Sequence, residues 1–196
     1  MDFNAMITQV LDITGRPEKA TAAGIAINAA VFMATVKANF ARDVTEATIA
    51  NPAPTLFTSA INLTSLTRFR KIIYCRPTTH VKPLRPISPD QVINATNGVV
   101  QSNVMWASGT SLNFVLNKLS STFEIGYASY PPTLTIAAPT YWMLDMMESA
   151  ILDLAVSRIF GSIGDTAAAK FYGDNGMGLY NAAKRDFEFS IEPHAL

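Results

Sequence analysis

Apolar positions at helical spacing open the chain. Phe3, Met6, Ile7, Val10 and Leu11 fall on one side of a 3.6-residue repeat, with Asp2 placed to cap its start and Gly15 to stop it. Pro17 suits the first turn of a second helix, where a missing N–H leaves no bond unmade. That helix is predicted to run through Glu18, Ile27, Val31 and Ala34 to about Ala38, and its many alanines let a partner helix come close. The texture changes at Asn51–Pro52–Ala53–Pro54. Runs rich in Thr, Ile, Val and aromatics then predict strands at Thr55–Leu63, Phe69–Arg76, Val104–Ala107, Leu112–Leu116 and Thr122–Tyr127. Ser108–Gly109–Thr110 reads as a hairpin turn. Pro77, Pro83, Pro86 and Pro89 mark a long irregular loop. Within it Ser88–Pro89–Asp90–Gln91 forms a capping box that predicts a short helical turn ending near Asn97–Gly98. The helical period returns after Pro139 as one stripe of Leu144, Met147, Ile151, Leu154, Ala155 and Ile159. Gly161 and Gly164 end it, and Asp165 caps a further helix from Thr166.

This order predicts an α+β fold: a helical bundle built from both ends, a β-rich insertion in the middle, and an extended C-terminal tail. The expected divisions are residues 1–50, 51–135, 136–185 and 186–196. Gly173, Gly176 and Gly178 lie close together in the last helical stretch, and each interior glycine costs a helix roughly 1 kcal/mol relative to alanine. A weak or broken helix between Phe171 and Leu179 is therefore expected. The segment from Phe171 to Leu196 is expected to be mobile in the free protein and to order on assembly.

Hydrophobic residues make up 49% of the 196-residue chain and charged residues 15%, with zero net charge. Soluble domains average about 25% charged residues. A surface this poor in charge is expected to be buried in part against other chains. Polar residues interrupt the apolar stretches, so no bilayer span of about 20 residues is expected. No basic region precedes an apolar run at the N-terminus, so no secretion signal is expected there. The single cysteine, Cys75, allows no internal disulfide and sits among apolar neighbours as a small buried hydrophobe, which suits a reducing compartment.

Catalytic chemistry finds little footing. The two histidines, His80 and His194, have no zinc spacing with Cys75, and no nucleophile elbow is present. The Gly173–Gly178 stretch follows no strand and lacks the Lys–Ser or Lys–Thr of a phosphate loop. Asp145 and Glu148, three apart on one helix, read as a solvated or partner-facing pair. No enzyme activity, cofactor or metal is expected. Positive charge, in contrast, is concentrated. No acid lies between Glu46 and Asp90, while Arg68, Arg70, Lys71, Arg76, Lys82 and Arg85 all fall there. Strict strand alternation would put Arg68, Arg70, Tyr74 and Arg76 on one side, giving a basic face for a partner or for DNA phosphates. The uncharged stretch from Gln91 to Phe123, broken only by Lys118, suits subunit packing.

Two blocks carry a resemblance. Ile13–Thr14–Gly15–Arg16–Pro17–Glu18–Lys19 leads into the alanine-rich helix and on to Phe40–Ala41–Arg42–Asp43–Val44. Near the other end stand Ile125–Gly126–Tyr127 and Tyr130–Pro131–Pro132–Thr133–Leu134–Thr135, then a helix with Trp142 early in it, then Leu154 through Asp165. In this order they resemble the head-to-tail adaptor (connector) proteins that tailed bacteriophages place between portal and tail. The likeness covers about half the chain, at its two ends. It implies a structural virion protein, made in the host cytoplasm and located at the head–tail interface. It implies a ring, typically of twelve copies, with the portal protein on one side and tail tube or nozzle proteins on the other. Genomic DNA would pass through the lumen without sequence-specific binding, and no membrane is involved. Phe187, Phe189, Ile191, Pro193 and Leu196 are the implied portal-docking residues, and the basic face of Arg68, Arg70, Lys71 and Arg76 is expected to meet a protein. The alternatives are another neck component, such as a tail terminator or stopper, and a small non-enzymatic binding module.

Overall fold

The computed structural model describes residues 1–88, 91 and 102–187. The chain is mixed α+β, with helices towards both ends and strands between them. It divides into two compact units, one of Met1–Asp43 with Tyr130 onward and one of Val44–Ser129.

The helical unit contains α1 (Phe3–Thr14), a 3-10 turn (Pro17–Lys19), α2 (Ala20–Val36), α3 (Trp142–Met146), α4 (Glu148–Ser162) and α5 (Thr166–Phe187). Its ends are set by local chemistry. The Asp2 carboxylate accepts from the Ala5 N–H at 2.8 Å, satisfying one of the orphan donors of the first turn. Gly15 closes α1 in the left-handed region, at φ 63°, and its N–H returns to the Leu11 carbonyl. The Asp165 carboxylate accepts from the Ala168 N–H and opens α5. Phe3, Met6 and Val10 of α1 share one core with Ala23, Ile27, Ala30, Val31 and Ala34 of α2. Leu144 of α3, Ile151 and Ala155 of α4, and Tyr180 of α5 complete it. Tyr180 is buried with a partner, donating its hydroxyl to the Ala34 carbonyl at 3.0 Å.

Several expectations need correction. The stripe from Leu144 to Ile159 is not one helix: the backbone breaks at Met147, at φ −127° and ψ 28°, separating α3 from α4. By length and composition, Pro17–Val36 is apolar enough to cross a membrane, contrary to the expectation of no such segment. Its Ala23, Ala26, Ile27, Ala30, Val31 and Ala34 are spent on the core. The expected weak point between Phe171 and Leu179 is instead continuous helix. The reason lies in packing: a Cβ on Gly176 would stand 3.0 Å from both the Leu154 side chain and the Leu154 backbone nitrogen. A Cβ on Gly173 would stand 3.0 Å from the Ser157 hydroxyl, which itself donates to the Ala169 carbonyl at 2.7 Å. These two glycines let α5 lie close on α4, and that contact offsets their intrinsic helix cost.

The β unit holds two sheets. β1 (Val44–Ala50), β7 (Thr122–Ser129) and β3 (Phe69–Pro77) form one, in the order β1-β7-β3 and antiparallel throughout. The other is β2 (Thr58–Asn62), β6 (Ser111–Val115), β5 (Val104–Ser108) and the short β4 (Arg85–Pro86), with β4 parallel to β5. β5 and β6 form the expected hairpin, turning through Gly109 at φ 58°. Ile61, Leu112 and Phe114 of one sheet share a core with Cys75, Phe123 and Ile125 of the other, and the Phe114 and Phe123 rings lie 4.4 Å apart. Cys75 is fully buried, and desolvation pushes its thiol up to about 12. β1 falls within residues 1–50, where only helices were expected. Its Ala47 and Ile49 are half-buried and alternate with exposed polar residues, so the strand is an edge with too short an apolar pattern to declare itself. The two ends of the expected capping box meet, with Gln91 Oε1 accepting from the Ser88 N–H at 3.2 Å, while Pro89, Asp90 and the turn expected to run on to Asn97–Gly98 lie outside the described residues.

The α5 glycines can be told apart by experiment. A Cβ on Gly178 meets nothing within 4 Å, so Gly178→Ala should stabilise the protein by about 0.5–1 kcal/mol through helix propensity alone. Gly176→Ala should instead destabilise it by about 1–3 kcal/mol, because the Leu154 backbone cannot yield. Urea melts of the two variants would check the opposite signs.

Candidate interaction surfaces

The outer side of α2 is the first candidate. Ile25, Phe32 and Val36 are 66%, 50% and 47% exposed, large values for such side chains. Steps of seven and four residues bring all three within an arc of about 40° around a helix. The chain that returns after the β unit lies along this side. Asn28 holds it: its Oδ1 accepts from the Leu134 N–H at 2.7 Å and its Nδ2 donates to the Leu134 carbonyl at 3.0 Å. Leu134 is thereby buried, and Tyr130 stacks on Phe32 with ring centres 5.6 Å apart and planes 11° from parallel. Beyond it Ile136 is 76% exposed, beside an apolar groove of about 610 Å³ lined by Phe3, Ile7, Ala20, Gly24 and Thr135. The tyrosine–proline block read from the sequence is thus pinned along α2. Asn28, which pins it, was missed; its only signal was a lone amide in an alanine-rich helix.

The second cluster joins two other blocks. Asp43 is buried, and its Oδ1 accepts from the Tyr141 hydroxyl at 2.6 Å and from the Trp142 indole N–H at 2.7 Å. Phe40 meets the Trp142 ring edge-on at 5.1 Å, and the Arg42 guanidinium lies 6.0 Å from that ring's centre. Burial and the Asp43 carboxylate together raise the Tyr141 hydroxyl well above the usual tyrosine value. Phe187 also packs here, 6.0 Å from Trp142 at the end of α5. Phe189, Ile191, Pro193 and Leu196 lie outside the described residues. The Asp145–Glu148 pair faces the chain's amino group: the Met1 amine is 2.5 Å from Asp145 and 3.6 Å from Glu148.

The basic stretch is rearranged. Two bulges in β3, between Phe69 and Lys71 and between Ile72 and Tyr74, break the alternation on which the expected face depended. Lys71, Tyr74 and Arg76 pair with Ala128, Gly126 and Glu124 and share a side of the sheet, while Arg70 is the extra residue of the first bulge. Arg68 is an exposed residue at φ 52° ahead of the strand. Arg76 forms an ion pair with Glu124. The Tyr74 hydroxyl donates to Glu46, two strands away, by laying its ring across Gly126. A Cβ at Gly126 would enter that ring, 2.6 Å from Cδ1. The carboxylates that temper this face come from neighbouring strands and were invisible to a count along the chain.

The chain matches no protein-family model and none of the curated proteins.

Two tyrosines make stability depend on pH. The Glu46 hydrogen bond, with burial, pushes Tyr74 up to about 12 from the ordinary 10.0, and Tyr141 is raised too. The folded state holds these protons more tightly than the unfolded chain. Their contribution is therefore complete below pH 10 and falls as pH rises beyond it. Denaturant melts over a pH series should show stability declining above about pH 10, and Tyr141→Phe and Tyr74→Phe should each flatten that decline.

Proposed function

We propose that the chain is a structural adaptor of the tailed-bacteriophage neck, assembling as a ring between portal and tail. In this reading the N- and C-terminal helices form a bundle that carries the ring contacts. The β unit is an insertion, and an extended C-terminal segment docks on the portal through Phe189, Ile191, Pro193 and Leu196, with Phe187 at its root. The ring has about twelve copies, offers tail proteins a platform, and passes genomic DNA through its lumen without reading its sequence. The protein acts as a scaffold in the virion and catalyses nothing.

The observation that carries this reading is the exposed apolar surface of α2, with Ile25, Phe32 and Val36 continued by Tyr130 and Ile136. Large apolar side chains gathered exposed on one side of a helix mark an interaction site, and a chain with 15% charged residues has little else to keep them apart from its neighbours. The resemblance gains support from the way its blocks meet. Phe40 and Asp43 pack with Tyr141 and Trp142, and the tyrosine–proline block is held by α2. Residues that look like a family pattern in the sequence are partners in one helical unit.

Electron microscopy of the purified chain, alone and mixed with the portal of its phage, tests the reading. A ring seated on the portal is expected. Ile25→Lys should leave the melting free energy within about 0.5 kcal/mol, as exposed substitutions do, yet abolish the ring. Deleting residues 188–196 should release the ring from the portal. A wild-type chain that stays monomeric and ignores the portal would overturn the proposal.

A further inference from the structure

A closed ring of more than two copies is built from heterologous contacts, in which two different surfaces of each chain meet. The outward side of α2 therefore meets some other surface of the next copy, and not that copy's α2. The helical unit carries one that fits. α4 packs against both α2 and α5 and so lies between them. The side of α5 turned towards α4 is marked by Gly176, with its close approach to Leu154. Phe171 stands about 140° around the helix from Gly176 and is 66% exposed. The outward sides of α2 and α5 thus look away from α4 in different directions, as a head-to-tail contact requires.

Phe171 is an anchored side chain. Its ring meets Tyr172 edge-on at 5.2 Å, and Tyr172 stacks on Phe160 at 5.6 Å with planes 13° from parallel. Phe160 and Tyr172 in turn pack on the helical core. An aromatic group held in place this way loses little freedom on binding. From Phe171, steps of seven and four residues reach Gly178 and Ala182, both exposed. The same two steps separate Ile25, Phe32 and Val36 on α2. Each row lies within an arc of about 40° and spans about 16 Å. The sizes along the two rows are opposite. After Ile25, α2 presents the large Phe32 and Val36. After Phe171, α5 presents only Gly178 and Ala182, and a Cβ at Gly178 would meet nothing within 4 Å. Charge agrees as well. α2 carries no charged residue from Ala20 to Val36, and α5 carries one, Asp174, between Phe171 and Ala183.

We propose that α5 of one copy lies along α2 of the next, the two helices running in the same direction. Phe171 falls beside Ile25, towards the groove that Gly24 lines with Phe3, Ile7 and Ile136. Phe32 and Val36 enter the hollows at Gly178 and Ala182. Large residues facing small ones let the two helices approach closely, and neither row has a charged side chain to take out of water. The pairing rests on the ring reading above and names the surface that covers α2 within it. Repeated from copy to copy, it leaves neither surface uncovered once the ring closes.

Engineered thiols can read this contact, because the single native cysteine, Cys75, is fully buried. Val36 and Ala182 stand opposite each other in the pairing, and both are exposed. The full-length chain carrying Val36→Cys together with Ala182→Cys, assembled on the portal of its phage and mildly oxidised, is expected to give a ladder of disulfide-linked multimers on a non-reducing gel. Each single variant should stay monomeric on the same gel. Gly178→Leu should melt in urea no earlier than wild type, since its Cβ meets nothing and leucine favours a helix over glycine, yet should lose the ring in electron micrographs. A double variant that forms rings but no ladder, dimers from Val36→Cys alone, or a ring that survives Gly178→Leu would overturn the pairing and leave the ring itself standing. A wild-type chain that forms no ring would remove the pairing and the reading it rests on together.

Discussion

The helical unit depends on one buried carboxylate. Asp43 ends the first stretch of the unit, and its Oδ1 takes hydrogen bonds from Tyr141 and Trp142, about a hundred residues later. A carboxylate out of water is tolerable only when its acceptor capacity is met by well-placed donors. The two aromatic donors meet one of its oxygens, Oδ1, while their rings fill space against Phe40 and Phe187. The bond thus fixes where the chain must be when it returns to start α3. Asn28 repeats the strategy one step earlier by taking both backbone groups of Leu134. An inserted unit of some eighty residues can sit between the two stretches because specific polar contacts, more than generic burial, define the return path.

Glycine serves three different ends here, and telling them apart explains much of what the sequence did and did not reveal. Gly15 and Gly164 take positive φ at helix ends, and Gly109 does so in a hairpin. Those positions are legible, because a stop after an apolar period is a local signal. Gly176 exists for the backbone of Leu154, and Gly126 for the ring of Tyr74. Their reasons lie on other elements. In the sequence such glycines can only look like weakness, which is how an unbroken α5 came to be expected as a loosened one.

The same division between local and distant causes runs through the rest. Helix caps at Asp2 and Asp165, the hairpin and the approximate places of five strands follow from neighbours in sequence. β1 does not, since an edge strand with half-buried Ala47 and Ile49 is stabilised by pairing with β7. The bulges of β3 do not either, and a slip of one residue reassigns every side chain beyond it. That is why Lys71, and not Arg70, joins Tyr74 and Arg76 on one face. Of the candidate surfaces, the tyrosine–proline block was visible as a motif. The exposure of Ile25 and Phe32 was not, because an apolar helix looks alike whether one side or both are covered.

Low charge takes on a more definite meaning once the acids are located. Asp2 and Asp165 cap helices, Asp43 is buried, and Glu46 and Glu124 hold Tyr74 and Arg76. Asp145 and Glu148 face the Met1 amine, and Asp153 accepts from Asn175. Eight of the fifteen acids therefore have structural work. Several of these carboxylates are exposed and still also hold the fold together, so few are left with surface solvation as their only task. What remains outside includes the exposed apolar residues of α2 on the helical unit. A chain arranged this way has few means of staying apart from partners, and its exposed α2 side chains ask for apolar contact.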